Sequence, residues 1–286
     1  GGAYWETTFV WDELLVRYRG LDFGPWGTRA WPRRTGYEYN WALSGATAND
    51  VITSGQHTGL AQQVAEGKVQ NVFFLIGPND FAIWNGTYAA VYNGMTQAQI
   101  DAKVNGIISD MALAIDTVLA AGPVNFVVAN VRDRGNSDRF QALYPDPARR
   151  AVVTAAFNAV NAGIENIVAT RNIKMFDMIN APLPEYISID ANGNIVILGE
   201  VINTSIDSDD PHYLILSDGD HIGTVGEGIK ANAILDEFNT FGLEIPKFTA
   251  LEILNNAGIF PAVPDTTVPS VSIDSPANGS NVSGTI

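Results

Sequence analysis

The amino-acid sequence predicts an α/β protein whose mostly parallel sheet is covered by helices. Short apolar runs typical of buried strands occur at residues 69–76, 124–128 and 173–176. Longer segments with an apolar residue at every third or fourth position separate these runs. This alternation of strand and helix is the pattern of a parallel, doubly wound sheet.

The first predicted element is an amphipathic helix in residues 7–19. Its apolar side chains recur at four-residue spacing, and Thr7 or Thr8 is expected to be its N-cap. A loop rich in Gly, Pro and Trp follows in residues 20–36. Residues 37–43 are then predicted to form the first strand of this chain.

The next helices lie between predicted strands. A helical segment is expected near residues 59–65, ahead of the apolar strand. The strongest periodic signal begins with the capping box Thr96-Gln97-Ala98-Gln99 and ends at Gly122. A further helix is predicted in residues 148–170. Helices in these positions are the crossover connections that parallel strands need.

The pattern changes after the last of these strands. Residues 186–201 alternate between apolar and polar side chains around the turn Asn192-Gly193, which predicts an inserted β-hairpin. The segment Thr224-Val225-Gly226-Glu227 again has the form of a capping box. It is predicted to open a last long helix.

The C-terminal residues predict a second domain after an α/β domain in residues 1–260. Residues 261–269 have a linker composition, rich in Pro and Thr. Residues 270–286 alternate like one strand entering a turn, and they resemble the opening of bacterial immunoglobulin-like modules. Because half a hairpin cannot bury a face by itself, we expect the beginning of a truncated β-sandwich domain. The same resemblance favours a secreted or cell-surface protein.

Composition excludes several classes of function. The 31 acidic and 16 basic residues give a net charge of −15, whereas nucleic-acid binding needs clustered Lys and Arg. The absence of cysteine excludes disulfides, thiolate catalysis and Cys-ligated zinc. No uninterrupted apolar run approaches the roughly 18 residues of a membrane span, so no transmembrane segment is predicted.

Asp218 and His221 form the first candidate catalytic pair. At a separation of three residues, the carboxylate can hold one imidazole nitrogen while the other faces a nucleophile. The alternative is a polar turn ahead of a helix, because short motifs often match by chance.

Two turns at predicted strand ends supply candidate oxyanion donors. Gly77-Pro78-Asn79-Asp80 follows a buried strand directly, at the sheet edge where open α/β folds bind ligands, and the Asn79 side chain can donate to an oxyanion. Ser44-Gly45-Ala46-Thr47 follows the predicted strand at 37–43, and the Gly45 amide is a second candidate donor. In isolation, either segment is also explained as an ordinary turn.

Taken in order, these three segments resemble sequence blocks of the GDSL-type esterases and lipases, also called SGNH hydrolases. The resemblance covers roughly residues 7–238 and implies a flavodoxin-like three-layer α/β/α fold. It also implies hydrolysis of carboxylic esters without a metal or organic cofactor. In that reading His221 is the general base, Asp218 orients it, and Gly45 and Asn79 form the oxyanion hole.

The sequence departs from the family in its first block. No serine stands in a Gly-Asp-Ser setting or a G-x-S-x-G elbow, so we expect the nucleophile on a strand upstream of Gly1. Ser44 is not assigned this role, because one turn would then provide both the attacking oxygen and the Gly45 amide. Without the upstream strand, the isolated chain is expected to be unstable.

The substrate stays open between small-molecule, polysaccharide and lipid esters. Asp80 and Arg132 lie at the expected edge of the sheet and are candidate substrate contacts. The alternative function is a catalytically inactive carbohydrate-binding or adhesion module of an extracellular protein. Trp26, Trp31 and Tyr37 would then form a sugar platform, unless they only pack beneath the loop.

Overall fold

The computed structural model describes residues 8–261, except residues 134 and 136. Thr7, most of the predicted linker and the predicted β-sandwich tail lie outside the described residues. The helices are α1 (Trp11–Arg19), α2 (Ala48–Thr53), α3 (Gln56–Ala65), α4 (Thr87–Tyr92), α5 (Gln97–Ala121), α6 (Asp138–Leu143), α7 (Pro147–Arg171), α8 (Thr224–Asn239) and α9 (Ala250–Asn256). The strands are β1 (Trp26–Thr28), β2 (Thr35–Tyr37), β3 (Asn71–Phe74), β4 (Asn125–Ala129), β5 (Lys174–Phe176), β6 (Ile187–Ile189), β7 (Ile195–Ile197), β8 (Glu200–Asp207) and β9 (Tyr213–Ile215).

The central sheet contains three parallel strands in the order β3-β4-β5. Because successive side chains of a strand point to opposite faces, β4 contributes to two cores. Phe126 and Val128 pack in a large cluster with residues of α3, α5 and α7. Val127 and Ala129 pack with Phe176 and residues of α8 on the other face. The predicted α/β class and parallel strands are confirmed at this level.

The N-terminal helix α1 also covers the second face of the sheet. The Trp11 ring lies edge to face with the Phe73 ring of β3, with their centroids 5.2 Å apart. Leu14 and Leu15 are buried with residues of α8 and α9. The amphipathic helix predicted near the start of the chain is therefore present, although it begins at Trp11 rather than at the predicted threonines.

The strand predicted in residues 37–43 is wrong. Only Tyr37 lies in a strand, β2, which pairs antiparallel with β1 in a small hairpin. The residues after Tyr37 make side-chain hydrogen bonds and no backbone pairing with another of the described strands. Asn40 Nδ2 donates to Asp12 Oδ2 at 2.7 Å, and Trp41 Nε1 donates to Gln63 Oε1 at 2.8 Å. These contacts hold the segment against α1 and α3 as a loop.

The inserted hairpin is confirmed and proves to be part of a larger sheet. Strands β6 and β7 pair antiparallel around the predicted turn, β8 adds antiparallel to β7, and β9 adds parallel to β8. Ile195, Ile197 and Ile202 of β7 and β8 are buried with residues of α1, α8 and α9. Ile215 of β9 forms an isolated antiparallel bridge with Ile222, so this second sheet contacts the segment that carries His221.

The two predicted capping boxes have different outcomes. Thr96 caps α5 as predicted, because its hydroxyl accepts from the Gln99 N–H. The N-cap of α8 is Gly223, not Thr224. The Thr224 hydroxyl instead accepts from the Phe9 N–H at 3.0 Å, and Glu227 Oε2 accepts from the Trp11 N–H at 3.1 Å. These two side chains therefore satisfy backbone donors at the start of α1.

Helices α5 and α7 pass a test of length and mean hydropathy for membrane spans. Both pack against each other, and their buried residues belong to the core on one face of the central sheet. The core helices of soluble proteins commonly have the same length and hydropathy, so these two properties are weak evidence for a transmembrane helix.

Candidate functional site

Three hydrogen bonds fix the turn that carries Gly45. Two of them come from Asn79 and Asp80, and the third is local. Asn79 Nδ2 donates to the Ala46 carbonyl at 3.0 Å, and the Asp80 carboxylate accepts from the Ala48 N–H at 2.8 Å. Thr47 caps α2 by accepting from the Asp50 N–H. The structure therefore brings the two predicted oxyanion donors into one cluster, although they are more than 30 residues apart.

Each of the two predicted oxyanion donors keeps an N–H group without an acceptor among the described residues. The Gly45 N–H has no hydrogen-bond acceptor among the described residues, and Gly45 has a φ of 82°, which favours glycine. An amide side chain has two N–H donors, and Asn79 uses one of them on Ala46. The other remains for a ligand.

The loop after β3 approaches the segment that follows β4. A Cβ placed on Gly77 would lie 2.9 Å from Val131 Cγ1, and its φ is 116°, so this position requires glycine. Asn161 accepts from and donates to the Val131 backbone, which fixes the segment on α7. Arg132 follows as an exposed residue. It stands at the carboxyl end of the sheet, as predicted.

Asp80 is not at a substrate edge, contrary to the prediction. Its side chain is only 4% exposed, and burial raises the pKa of its carboxyl. Its hydrogen bond to the Ala48 N–H satisfies a donor in the first turn of α2. Asp80 therefore positions the Gly45 turn from within the core.

Asp218 and His221 form the pair expected from their spacing. Asp218 Oδ2 lies 2.6 Å from His221 Nδ1, and Asp218 Oδ1 accepts from the His221 backbone N–H at 3.0 Å. The carboxylate thus selects the tautomer with hydrogen on Nδ1. The His221 Nε2 has no hydrogen-bond partner among the described residues, and the side chain is 68% exposed.

A second Asp-His pair provides an internal comparison. His212 Nδ1 lies 3.0 Å from Asp210 Oδ1, but its Nε2 is also near a carboxylate, 3.8 Å from Glu200 Oε2. Both nitrogens of His212 therefore face carboxylates, whereas His221 keeps one nitrogen for a reacting partner. His212 therefore has no ring nitrogen free of a neighbouring carboxylate, and His221 is the candidate base.

The two halves of the candidate site contact the same connection. Val131, which packs on Gly77, lies near its start. Arg139 in α6 lies near its end, and Arg139 Nη1 donates to the Asp218 carbonyl at 2.8 Å. No hydrogen bond among the described residues joins His221 to Gly45 or Asn79. The segment after β4 therefore contacts both halves, through Val131 and through Arg139.

A groove of about 300 Å³ opens beside the Gly45 turn. It is lined by Trp31, Arg34, Leu43, Ser44, Gly45 and Asp50, among others. A second tryptophan, Trp84, touches the same turn, since a Cβ on Gly45 would lie 3.7 Å from Trp84 Cζ2. Trp31 is 70% exposed and Trp84 is 66% exposed.

Sequence reasoning missed Arg139, Trp84 and Arg34. Arg139 and Trp84 reach the site only through tertiary contacts, and no motif marks them. The proposed sugar platform is also rearranged, because Trp26 and Tyr37 pack edge to face on each other at 4.9 Å. Trp31 alone of that set lines the groove.

Within the described residues, no group of three His, Asp or Glu side chains is arranged to hold a metal ion. A comparison of the chain with models of protein families finds no match, and a comparison with curated proteins finds no significant match.

Proposed function

We propose that this chain belongs to a serine-type hydrolase of carboxylic esters, of the SGNH kind that its motifs resemble. The observation that carries the proposal is the Asp218-His221 pair, whose Nε2 is left for a nucleophile. The unpartnered Gly45 amide and the adjacent Asn79 amide support it, because acyl transfer needs donors for a developing oxyanion. A parallel three-stranded sheet with helices packed on both faces supports the same proposal.

The first half of the reaction forms an acyl-enzyme. A serine Oγ attacks the ester carbonyl carbon while His221 Nε2 takes the serine proton. The carbonyl π electrons move to oxygen, and the Gly45 and Asn79 N–H groups stabilise the negative charge. When the intermediate collapses, the C–O bond to the alcohol breaks and His221 gives the alcohol its proton.

The second half returns the enzyme to its starting state. Water attacks the acyl-serine carbonyl, and His221 Nε2 accepts the proton of the water molecule. Collapse of this second intermediate releases the carboxylic acid and returns a proton to serine. Asp218 holds Nδ1 throughout and stabilises the imidazolium that forms twice in each cycle.

The proposal requires a nucleophilic serine outside this sequence, in the Gly-Asp-Ser block that the resemblance implies. The test therefore uses a protein in which this chain is joined to the natural segment that precedes it. Reaction with a fluorophosphonate probe, followed by peptide mass spectrometry, identifies the labelled serine. We expect one upstream serine to be labelled and p-nitrophenyl butyrate to be hydrolysed.

The two histidines provide matched variants for the same experiment. His221→Ala is expected to abolish labelling and lower turnover by roughly 10³-fold or more. His212→Ala is expected to leave both nearly unchanged. Equal losses in the two variants, or labelling of Ser44 in place of an upstream serine, would refute the assignment.

A second candidate function is a binding module without catalysis. The observation in its favour is that Trp31 and Trp84 are both largely exposed and both lie beside Gly45, because exposed apolar patches on soluble proteins commonly mark interaction sites. Carbohydrate binding without ester turnover or probe labelling would favour this function.

A further inference from the structure

The groove beside Gly45 combines one broad aromatic surface with unused polar groups. Trp31 makes no aromatic ring contact within the described part of the chain, so its indole is open to a ligand. Arg34 is exposed, and no described residue pairs with its guanidinium. The Ser44 hydroxyl is likewise exposed and unpaired among the described residues.

This combination matches the chemistry of a sugar better than that of an acyl chain. A pyranose ring presents C–H groups on one face, which stack on an aromatic surface, and hydroxyls around its rim. The five donors of a guanidinium and the remaining acceptor capacity of Asp50 complement such hydroxyls. A fatty acyl chain would instead leave Arg34 and Asp50 facing hydrocarbon, which costs free energy.

The size and charge of the protein surface narrow the ligand further. The groove lies at the lower limit of the roughly 300–1,000 Å³ typical of ligand sites, so it holds about one ring of a chain. The net charge of −15 repels polyanions, which favours a neutral polysaccharide.

We propose that this groove binds a pyranose ring of a neutral polysaccharide on Trp31, with Arg34 and Asp50 holding its hydroxyls. Because Gly45 lines the same groove, the ester hydrolysed at this site is an acyl group carried by the polysaccharide. The identity of the ester rests on the proposed function, whereas the binding of the sugar does not. The Trp84 ring lies beside Gly45 and adds apolar surface next to the groove.

The test measures binding and turnover separately. Isothermal titration calorimetry is carried out with acetylated glucomannan and with the same polymer after chemical deacetylation. We expect both forms to bind the unsubstituted protein. Trp31→Ala is expected to raise Kd at least about tenfold, as loss of a tryptophan at the centre of a site commonly does.

Two further variants keep the test decisive. Trp26→Ala removes another exposed tryptophan outside the groove and is expected to change Kd less than about twofold. Arg34→Gln removes an exposed cation without a described partner, and it is expected to raise Kd several-fold while leaving the melting temperature unchanged. Circular dichroism confirms that each variant is folded.

The outcomes distinguish the two proposals. No binding of either polymer, or equal Kd values for the unsubstituted and Trp31→Ala proteins, would overturn the sugar site. Hydrolysis of p-nitrophenyl butyrate without polymer binding would leave an esterase for small or lipid esters. Polymer binding that depends on Trp31, without ester turnover, would keep the sugar site and refute the hydrolase.

Discussion

The two halves of the candidate site are built in different ways. The Gly45-Asn79 half is anchored in the protein interior by Asp80, through a hydrogen bond between residues 32 positions apart. The Asp218-His221 half lies on an exposed loop, and the hydrogen bonds that join its carboxylate to its histidine connect residues only three positions apart. The comparison teaches that one candidate site can combine a turn anchored in the core with an Asp-His pair built within a single loop.

The largest expected effect tests the local half. Asp218→Asn keeps an oxygen that can accept from the His221 backbone but removes the carboxylate that fixes the imidazole tautomer. In the protein that also contains the upstream segment with its serine, we expect kcat for ester hydrolysis to fall roughly 10³–10⁴-fold, with little change in melting temperature. Asp210→Asn, in the pair whose histidine has both nitrogens occupied, is the matched control. A comparable loss in both variants would remove the distinction between the pairs.

A smaller loss is expected in the core-built half. Asn79→Ala removes one proposed oxyanion donor and the hydrogen bond to the Ala46 carbonyl. We expect kcat to fall roughly 10²–10³-fold with a much smaller change in KM, because the oxyanion exists only in the transition state. Asn85→Ala removes a hydrogen bond to the Asn79 carbonyl and one from the Thr87 N–H but no proposed oxyanion donor, so it should lower kcat far less. A change confined to KM would show that Asn79 binds substrate rather than the transition state.

The anchoring role of Asp80 predicts a loss of stability. Asp80→Ala leaves the buried Ala48 N–H without its acceptor, and such a group costs about 1–3 kcal/mol of unfolding free energy. Asp80→Asn retains an acceptor oxygen and should cost less. Urea unfolding of both variants measures the difference. If Asp80→Ala unfolds at the same urea concentration as the unsubstituted protein, the turn is not anchored from the core.

The smallest expected effect concerns Asp12, which contacts Asn40 in the loop that leads to the Gly45 turn. Burial raises the pKa of Asp12 from 3.8 to about 6, with the Glu13 charge adding to the shift. Because the pKa of this carboxyl is higher in the folded than in the unfolded state, its ionisation lowers the free energy of unfolding as the pH rises from about 4 to 6. Above about pH 6 the full loss of stability is present. Asp12→Asn removes that cost.

Melting temperatures measured across this range test the Asp12 prediction. At pH 7 we expect Asp12→Asn to gain on the order of 1–2 kcal/mol relative to its effect at pH 4, after allowance for solvent screening and altered hydrogen bonding. Asp22→Asn, on an exposed loop residue, is the control. A gain that is independent of pH would show that Asp12 does not titrate in this range.

The sequence predicted the contact between Asp218 and His221, but only part of the contacts around Gly45 and Asn79. The Asp218-His221 contact needs a spacing of three residues in a turn, so the sequence contains its geometry. The joining of Gly45 and Asn79 depends on contacts across more than 30 residues. The resemblance to a family placed these two residues together, but residue patterns alone do not reveal that Asp80 is buried beneath them.

The fold shows the same division between local and distant causes. The capping box at Thr96 fixes the start of α5 from adjacent residues, and the structure confirms it. The capping box at Thr224 has the same pattern, yet its side chains bind the start of α1, more than 200 residues away. Residues 37–43 fail as a strand because Asn40 and Trp41 have polar partners on distant helices.

The attachment of α1 to Thr224 and Glu227 has a consequence for motion in the folded state. The Phe9 and Trp11 amides are donors in bonds that close a loop of almost the whole described chain. These hydrogens can exchange with solvent deuterium only when α1 leaves the first turn of α8, a few residues after His221. An opening that frees the start of α1 therefore also removes the partners of Thr224 and Glu227 in the first turn of α8, and slow exchange at Phe9 and Trp11 would measure how rarely this happens.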